Sequence, residues 1–287
     1  MPIDPSVAVG ADLGETSFEW SASDVALYNL GVGAAADPLD TRGLRYVDDT
    51  APAVLPTFAT VAENFHATAA PTVSFPGIEI DLAKVVHGSQ QVTMHRPIPA
   101  SGKATTRSRL AEVQDKGSAA VVFTESQTFG SDGELLWSAR SSIFAKGEGG
   151  FGGERGTSDR VEYPDRAPDS VLTVPTRPDQ ALLYRLCGDR NPLHSDPAFA
   201  AGAGFPAPIL HGLCSYGTVC RALVDEVLGG DTDAVGSFGA KFAGVFFPGE
   251  TFRISVWDTG TQILATATAA DRDDAPVLGN VVLERRR

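Results

Sequence analysis

Tyr184-Arg-Leu-Cys-Gly-Asp-Arg-Asn-Pro-Leu-His194 leads into Ser195-Asp-Pro-Ala-Phe-Ala200, and then into Ala207-Pro-Ile-Leu-His-Gly-Leu213. Read physically, this is a helix end, a tight polar loop and the start of a second helix. The pattern predicts a short helix over 177–186, with Thr176 as its cap, Asp179 as capping-box partner and Pro178 in the first turn. Gly188 ends that helix, because glycine takes the left-handed conformation that a helix stop favours. Asp189 and His194 then share a loop that Pro192 stiffens. An acid and an imidazole held close on a rigid loop can grip and deprotonate a water.

Around this stretch, 287 residues suffice for one large or two modest domains, and a hydrophobic content of 43% supplies a core. The balance of 23 basic to 36 acidic residues gives a formal charge of −13 and argues against nucleic acid as a partner, since phosphate neutralisation needs a basic surface. Cys187, Cys214 and Cys220 are odd in number and lack C-x-x-C spacing, which reads as free thiols in a reducing compartment. There is no signal-peptide pattern, no apolar run long enough to span a membrane, and no peroxisomal address at the C-terminus. A cytoplasmic protein is expected. Gly147, Gly149 and Gly152 formally spell G-x-G-x-x-G, but Pro164 and Pro168 follow where a nucleotide-binding fold needs a helix. The histidines and cysteines lack metal-site spacing, and no G-x-S-x-G nucleophile elbow occurs. No metal and no cofactor are expected.

The chain reads as two unequal copies of one pattern. Ser21 caps a helix with Asp24 as its box partner and Gly31 as its stop, the same grammar as 176–188. Asp37-Pro-Leu-Asp40 shadows Asn191-Pro-Leu-His194, and Ala51-Pro-Ala-Val-Leu55 shadows Ala207-Pro-Ile-Leu-His211. Asp40 stands where His194 stands, so only the second copy keeps the chemistry. The first copy has a helix of two or three turns at most over 57–66, before Pro71 and Pro76. The second has a long, mostly apolar helix over 213–228, which must be buried. Strands are expected at 89–96, 104–115, 119–129 and 134–146, and at 235–247, 251–257, 262–271 and 276–283. Lys116-Gly117 and Asp132-Gly133 mark hairpin turns. Residues 1–10 read as an extended lead-in.

The 184–213 stretch resembles the signature of the 2-enoyl-CoA hydratase 2, or MaoC-like (R)-specific hydratase, family. Tyr184, Gly188, Asp189, Asn191, Pro192, Leu193, His194 and Ala200 fall on its motif, and Ala207–Leu213 on its second segment. The resemblance implies an α+β double hot-dog, two repeats each with an antiparallel sheet wrapped around a central helix, the first helix shortened. The expected organisation is a degenerate N-terminal hot-dog binding the acyl chain over 1–148, a linker over 149–170, and a catalytic hot-dog over 171–287. The implied reaction is reversible addition of water to trans-2-enoyl-CoA, giving (3R)-3-hydroxyacyl-CoA in fatty acid metabolism, on medium to long chains. Asp189 and His194 would bind and activate the water, Asn191 would support them, and Gly212 would offer a backbone N–H to the thioester oxygen at the helix start. Removing a donor of that kind typically costs about 2.7–4 kcal/mol of barrier.

His211 fits either the site or a helix cap. His87 and His95 read as structural, and Phe246 and Phe247 as core. Two hot-dogs in one chain suit a monomer as well as a homodimer. The alternatives are an acyl-carrier-protein 3-hydroxyacyl dehydratase of fatty-acid or polyketide synthesis, a non-catalytic acyl-thioester-binding subunit, and a hot-dog thioesterase.

Overall fold

A computed structural model of the chain describes residues 3–37, 39–71, 74–80, 85–157 and 160–286. Its strands are β1 (Asp12–Trp20), β2 (Val85–Met94), β3 (Gly102–Asp115), β4 (Ala119–Gly130), β5 (Leu135–Lys146), β6 (Ser170–Pro175), β7 (Val235–Phe242), β8 (Thr251–Asp258), β9 (Gln262–Ala269) and β10 (Ala275–Arg285). They form one sheet in the order β1-β3-β4-β5-β2-β7-β10-β9-β8-β6. Read from each edge inward, the halves are the same: edge strand, three-strand meander, central strand. All the pairings are antiparallel. The halves fuse where β2 pairs with β7, from Ser89 opposite Lys241 to Thr93 opposite Ser237.

The helices are α1 (Pro5–Ala8), α2 (Ala22–Gly31), α3 (Thr41–Leu44), α4 (Gln180–Tyr184), α5 (Pro197–Gly202) and α6 (Gly212–Val227). The expected long helix is α6, buried continuously from Cys214 to Cys220 and again from Ala222 to Val224. Its counterpart in the first half is no α-helix. It is two 3-10 turns, Pro56–Thr60 and Ala62–Asn64. Aromatic rings pack around these turns. Trp20 packs on Phe58 (centroids 6.3 Å) and on Trp137 (6.1 Å), and Phe58 packs on Tyr28 (5.6 Å) and Phe65 (5.8 Å).

The Ser21–Asp24 capping box forms in full. Its expected twin at Thr176 does not. Thr176 Oγ1 donates to the Glu250 carbonyl (2.8 Å), and Asp179 pairs with Arg177. α4 therefore starts only at Gln180. The lead-in also differs from expectation, because Asp4 caps the single turn of α1 by accepting from the Ser6 N–H. Asp40 is a cap as well, for α3. Pro38, in the shadow motif, lies outside the described residues.

The glycine-rich run after β5 folds back on the sheet. Asp115 accepts the N–H groups of Gly117, Gly150 and Gly152, each at 2.8 Å, and Phe151 is buried beside Leu110 and Val122. Its glycines grip a protein carboxylate, and among the described residues no helix follows them until α4. The three cysteines are free and buried. No helix among the described residues is long and apolar enough to cross a membrane.

α2 ends against the second half, and Gln180 Nε2 donates to the Leu30 carbonyl (3.3 Å) and to the Gly31 carbonyl. Gln180→Leu keeps the volume but strips buried carbonyls of a donor. It should cost roughly 1–3 kcal/mol, read as a lower urea midpoint with unchanged slope.

Candidate active site

The site is assembled on the loop between α4 and α6. A 3-10 turn, Arg185–Cys187, extends α4 and stops at Gly188, whose φ is 107°. A Cβ there would lie 2.0 Å from the Asn64 carbonyl oxygen. Only glycine lets this loop rest on the 3-10 turns of the first half. Arg190 Nε adds a hydrogen bond to the Ala67 carbonyl (3.2 Å). The first half is thus the floor under this loop.

Beyond Gly188 the polar side chains fold the loop. Asp189 Oδ1 accepts the Asn191 N–H (3.1 Å), and Asn191 Oδ1 accepts the Leu193 N–H (3.0 Å), capping the 3-10 turn Pro192–His194. Asn191 is therefore a loop-builder. His194 is only 8% exposed. Its Nδ1–H donates to the Ile209 carbonyl (2.9 Å). A carbonyl can only accept, so that bond fixes the tautomer and leaves Nε2 with a lone pair.

The second segment closes the site from the other side. His211 is 1% exposed, and its Nε2–H donates to the main-chain carbonyl of Asp189 (3.2 Å). Its ring lies over that of His194 with centroids 3.8 Å apart and planes at 30°, and the Tyr184 ring packs at 4.9 Å. One ligand-type atom each of Asp189, His194 and His211 falls within a 4.8 Å cluster. The two imidazoles pack there with their planes tilted. Gly212 opens α6 directly after His211, and a Cβ on it would come within 3.1 Å of the Phe242 ring. The first N–H groups of α6 lack intrahelical partners and carry the positive end of the helix dipole, at the edge of the Asp189–His194 cluster.

Burial favours the neutral form of both imidazoles. His194 is pushed below its ordinary value by desolvation, against the pull of Asp189 and the Ile209 carbonyl. His211 is pushed down to about 2 by burial and by His194, with Arg185 adding to the effect against the Asp189 carbonyl. A cavity of about 270 Å³ opens beside His194, walled by Pro178, Leu182, Ala207, Pro208 and Phe247.

All four expected site residues, Asp189, Asn191, His194 and Gly212, lie on the loop and at the start of α6. His211, which the sequence left between two readings, contacts two of them. Phe246 is core, stacked on Phe252 at 3.7 Å, whereas Phe247 walls the cavity. The adjacent aromatics gave no signal of that split. His95 is exposed and bonds Ser138 (2.9 Å), while His87 packs on Phe242 (4.4 Å).

A ten-stranded sheet around one buried helix, with an acid and a buried imidazole gathered near that helix's N-terminus, defines a double hot-dog of the MaoC-like class. Family models agree: one for the MFE-2 hydratase 2 N-terminal domain matches residues 18–147, and one for the MaoC-like domain matches 159–275. The chain is 54% identical over 283 residues to the enoyl-CoA hydratase ChsH3 of Mycobacterium tuberculosis, covering 99% of both chains. The crystal structure of a MaoC-like dehydratase from Phytophthora capsici superposes with a TM-score of 0.84 at 30% identity, over 97% of this chain and 96% of that one. A double hot-dog protein of M. tuberculosis shares the fold at a TM-score of 0.54 and 12% identity, over 99% and 98%. The chain belongs to the MaoC-like enoyl-CoA hydratase 2 family.

The buried imidazoles set a pH dependence of stability. His211 (about 2) and His87 (about 4) are both depressed by burial. A depressed histidine binds protons in the unfolded chain before the native one, so stability falls as pH drops through the unfolded value near 6.5. Each ring should remove roughly 2 kcal/mol between pH 7 and pH 5. Urea melts at the two pH values check this, and equal midpoints would refute it.

Proposed function

We propose that this chain adds water reversibly to trans-2-enoyl-CoA thioesters, giving (3R)-3-hydroxyacyl-CoA in fatty acid metabolism. The observation that carries the reading is the gathering of Asp189 and His194, with ligand-type atoms within 4.8 Å, beside the N-terminus of α6, while His194 Nδ1 is held by the Ile209 carbonyl. A water held between the carboxylate and the imidazole loses a proton to one of them as its oxygen bonds to C3. A proton is delivered to C2, so the pair ends in its starting state. Negative charge gathers on the thioester oxygen, and the Gly212 N–H with the helix dipole is suited to receive it. His194 must be neutral to accept a hydrogen bond from the water, and its burial favours that form. Asn191 supports the pair by shaping the loop.

In this reading residues 171–287 carry the chemistry, 149–170 connect, and 1–148 hold the loop from below and receive the acyl chain. The 54% identity to an enoyl-CoA hydratase supports coenzyme A as the carrier over an acyl-carrier protein. Buried, unpaired thiols fit a reducing compartment, and we assign the cytosol. The same chain in pairs would suit the family's homodimers, which light scattering would detect.

The assay follows loss of conjugated thioester absorbance with a short and a long trans-2-enoyl-CoA. The wild type should consume both, and chiral analysis should give the (3R) alcohol. Asp189→Asn and His194→Gln, folded by circular dichroism, should lose roughly 10²–10⁴-fold in kcat. A folded wild type that hydrates only carrier-protein thioesters would make it the dehydratase. Binding without turnover would make it a thioester-binding subunit.

Acyl-chain placement has its own test. Trp20 and Trp137 lie in the aromatic core of the first half, while Trp257 hydrogen-bonds Arg166 in the second. In Trp257→Phe, saturated dodecanoyl-CoA should shift the fluorescence of the remaining pair and butanoyl-CoA should not. Identical responses to both would place the chain elsewhere.

A further inference from the structure

We infer that His211 is the positioning residue of the site, holding Asp189, His194 and the start of α6 in register. The inference rests on the hydratase reading. Three contacts of one side chain carry it. The Nε2–H is bonded to the main-chain carbonyl of Asp189 at 3.2 Å, which fixes where the carboxylate-bearing residue sits. The ring face covers His194 at 3.8 Å, so the imidazole that must present Nε2 cannot tip away from the Ile209 carbonyl. The next residue is Gly212, so the same main chain sets the first N–H of α6. No other described side chain is both hydrogen-bonded to Asp189 and stacked on His194.

The residue type follows from these duties. A donor must reach a carbonyl while a flat face covers a second ring. Phenylalanine has the face and no donor, and glutamine has the donor and no face. The ring must also stay uncharged, because a cation stacked on His194 would repel the proton His194 handles. Burial, Arg185 and the positive end of α6 all press against charge there, and Asp189 presses the other way. Tyr184 from α4 backs the stack at 4.9 Å, and His211 Nδ1 has no hydrogen-bond partner among the described residues. The one polar bond this buried ring makes is therefore the one to Asp189.

The test uses the full chain with His211→Phe, His211→Gln and His211→Ala, each checked for folding by near-ultraviolet circular dichroism. His211→Phe keeps the stack and loses the donor. It should lower kcat by about tenfold to a hundredfold, with KM within about threefold, because the fault is in placement. His211→Gln restores a donor and should recover part of that loss. His211→Ala admits water beside His194, so the acid limb of kcat/KM should move to higher pH, and in His211→Phe it should stay. The His194 imidazole, titrated by NMR in the same variants, gives a readout that needs no turnover. A wild type without hydratase activity would sink the hydratase reading alone, and the His194 titration would still be read. A folded His211→Phe with wild-type kcat and an unchanged His194 titration in His211→Ala would overturn the positioning role. Should His211→Phe fail to fold, the contrast of Gln with Ala decides, since equal kcat in those two would mean the donor does nothing.

Discussion

The C-terminal carbonyls of α2 are satisfied by side chains of the other half, and the architecture depends on it. A helix leaves its last carbonyls without partners. Here Gln180 serves Leu30 and Gly31, Cys214 Sγ lies 3.3 Å from the Gly31 carbonyl, and Thr218 and Arg221 reach the Val32 carbonyl at 3.3 and 3.2 Å. Three of these donors are on α6 and one begins α4. The first copy therefore cannot shift without unbuckling the helix that carries Gly212 or the one that leads to Asp189. The β2–β7 ladder adds a second join on the opposite layer. Between the two joins the site is held at a fixed height above the 3-10 turns of the first half.

Much of this was legible in the sequence, and the reasons are local. Gly188, Pro192 and the Asn191 cap act within a few residues, so the loop could be read from its own chemistry. α6 showed itself by apolar continuity. Gly117 and Gly133 sit at positive φ in their hairpin turns, as their turn chemistry required. Those signals need no partner from elsewhere in the chain.

What escaped was non-local. β1 and β6 are edge strands, and neither was expected. Only Trp20 in β1 is buried, so its face pattern is faint, and it pairs with β3 some ninety residues away. β6 is six residues long and pairs with β8. Thr176 looked like a cap by sequence, yet the Glu250 carbonyl, distant in the chain, takes its hydroxyl. His211 stayed ambiguous for the same reason. Its meaning lies in a carbonyl and a ring belonging to another segment, and one-dimensional spacing does not encode either.

The Asn64 carbonyl resting on Gly188 has a consequence for how this chain can drift over generations. The first copy has Asp40 at the position that matches His194, and so lacks the imidazole of the second. That does not free it from shape. Substitutions on its 3-10 turns would reach the loop at Gly188 through this contact. Two stretches distant in the chain must therefore stay matched in shape, whatever each does chemically.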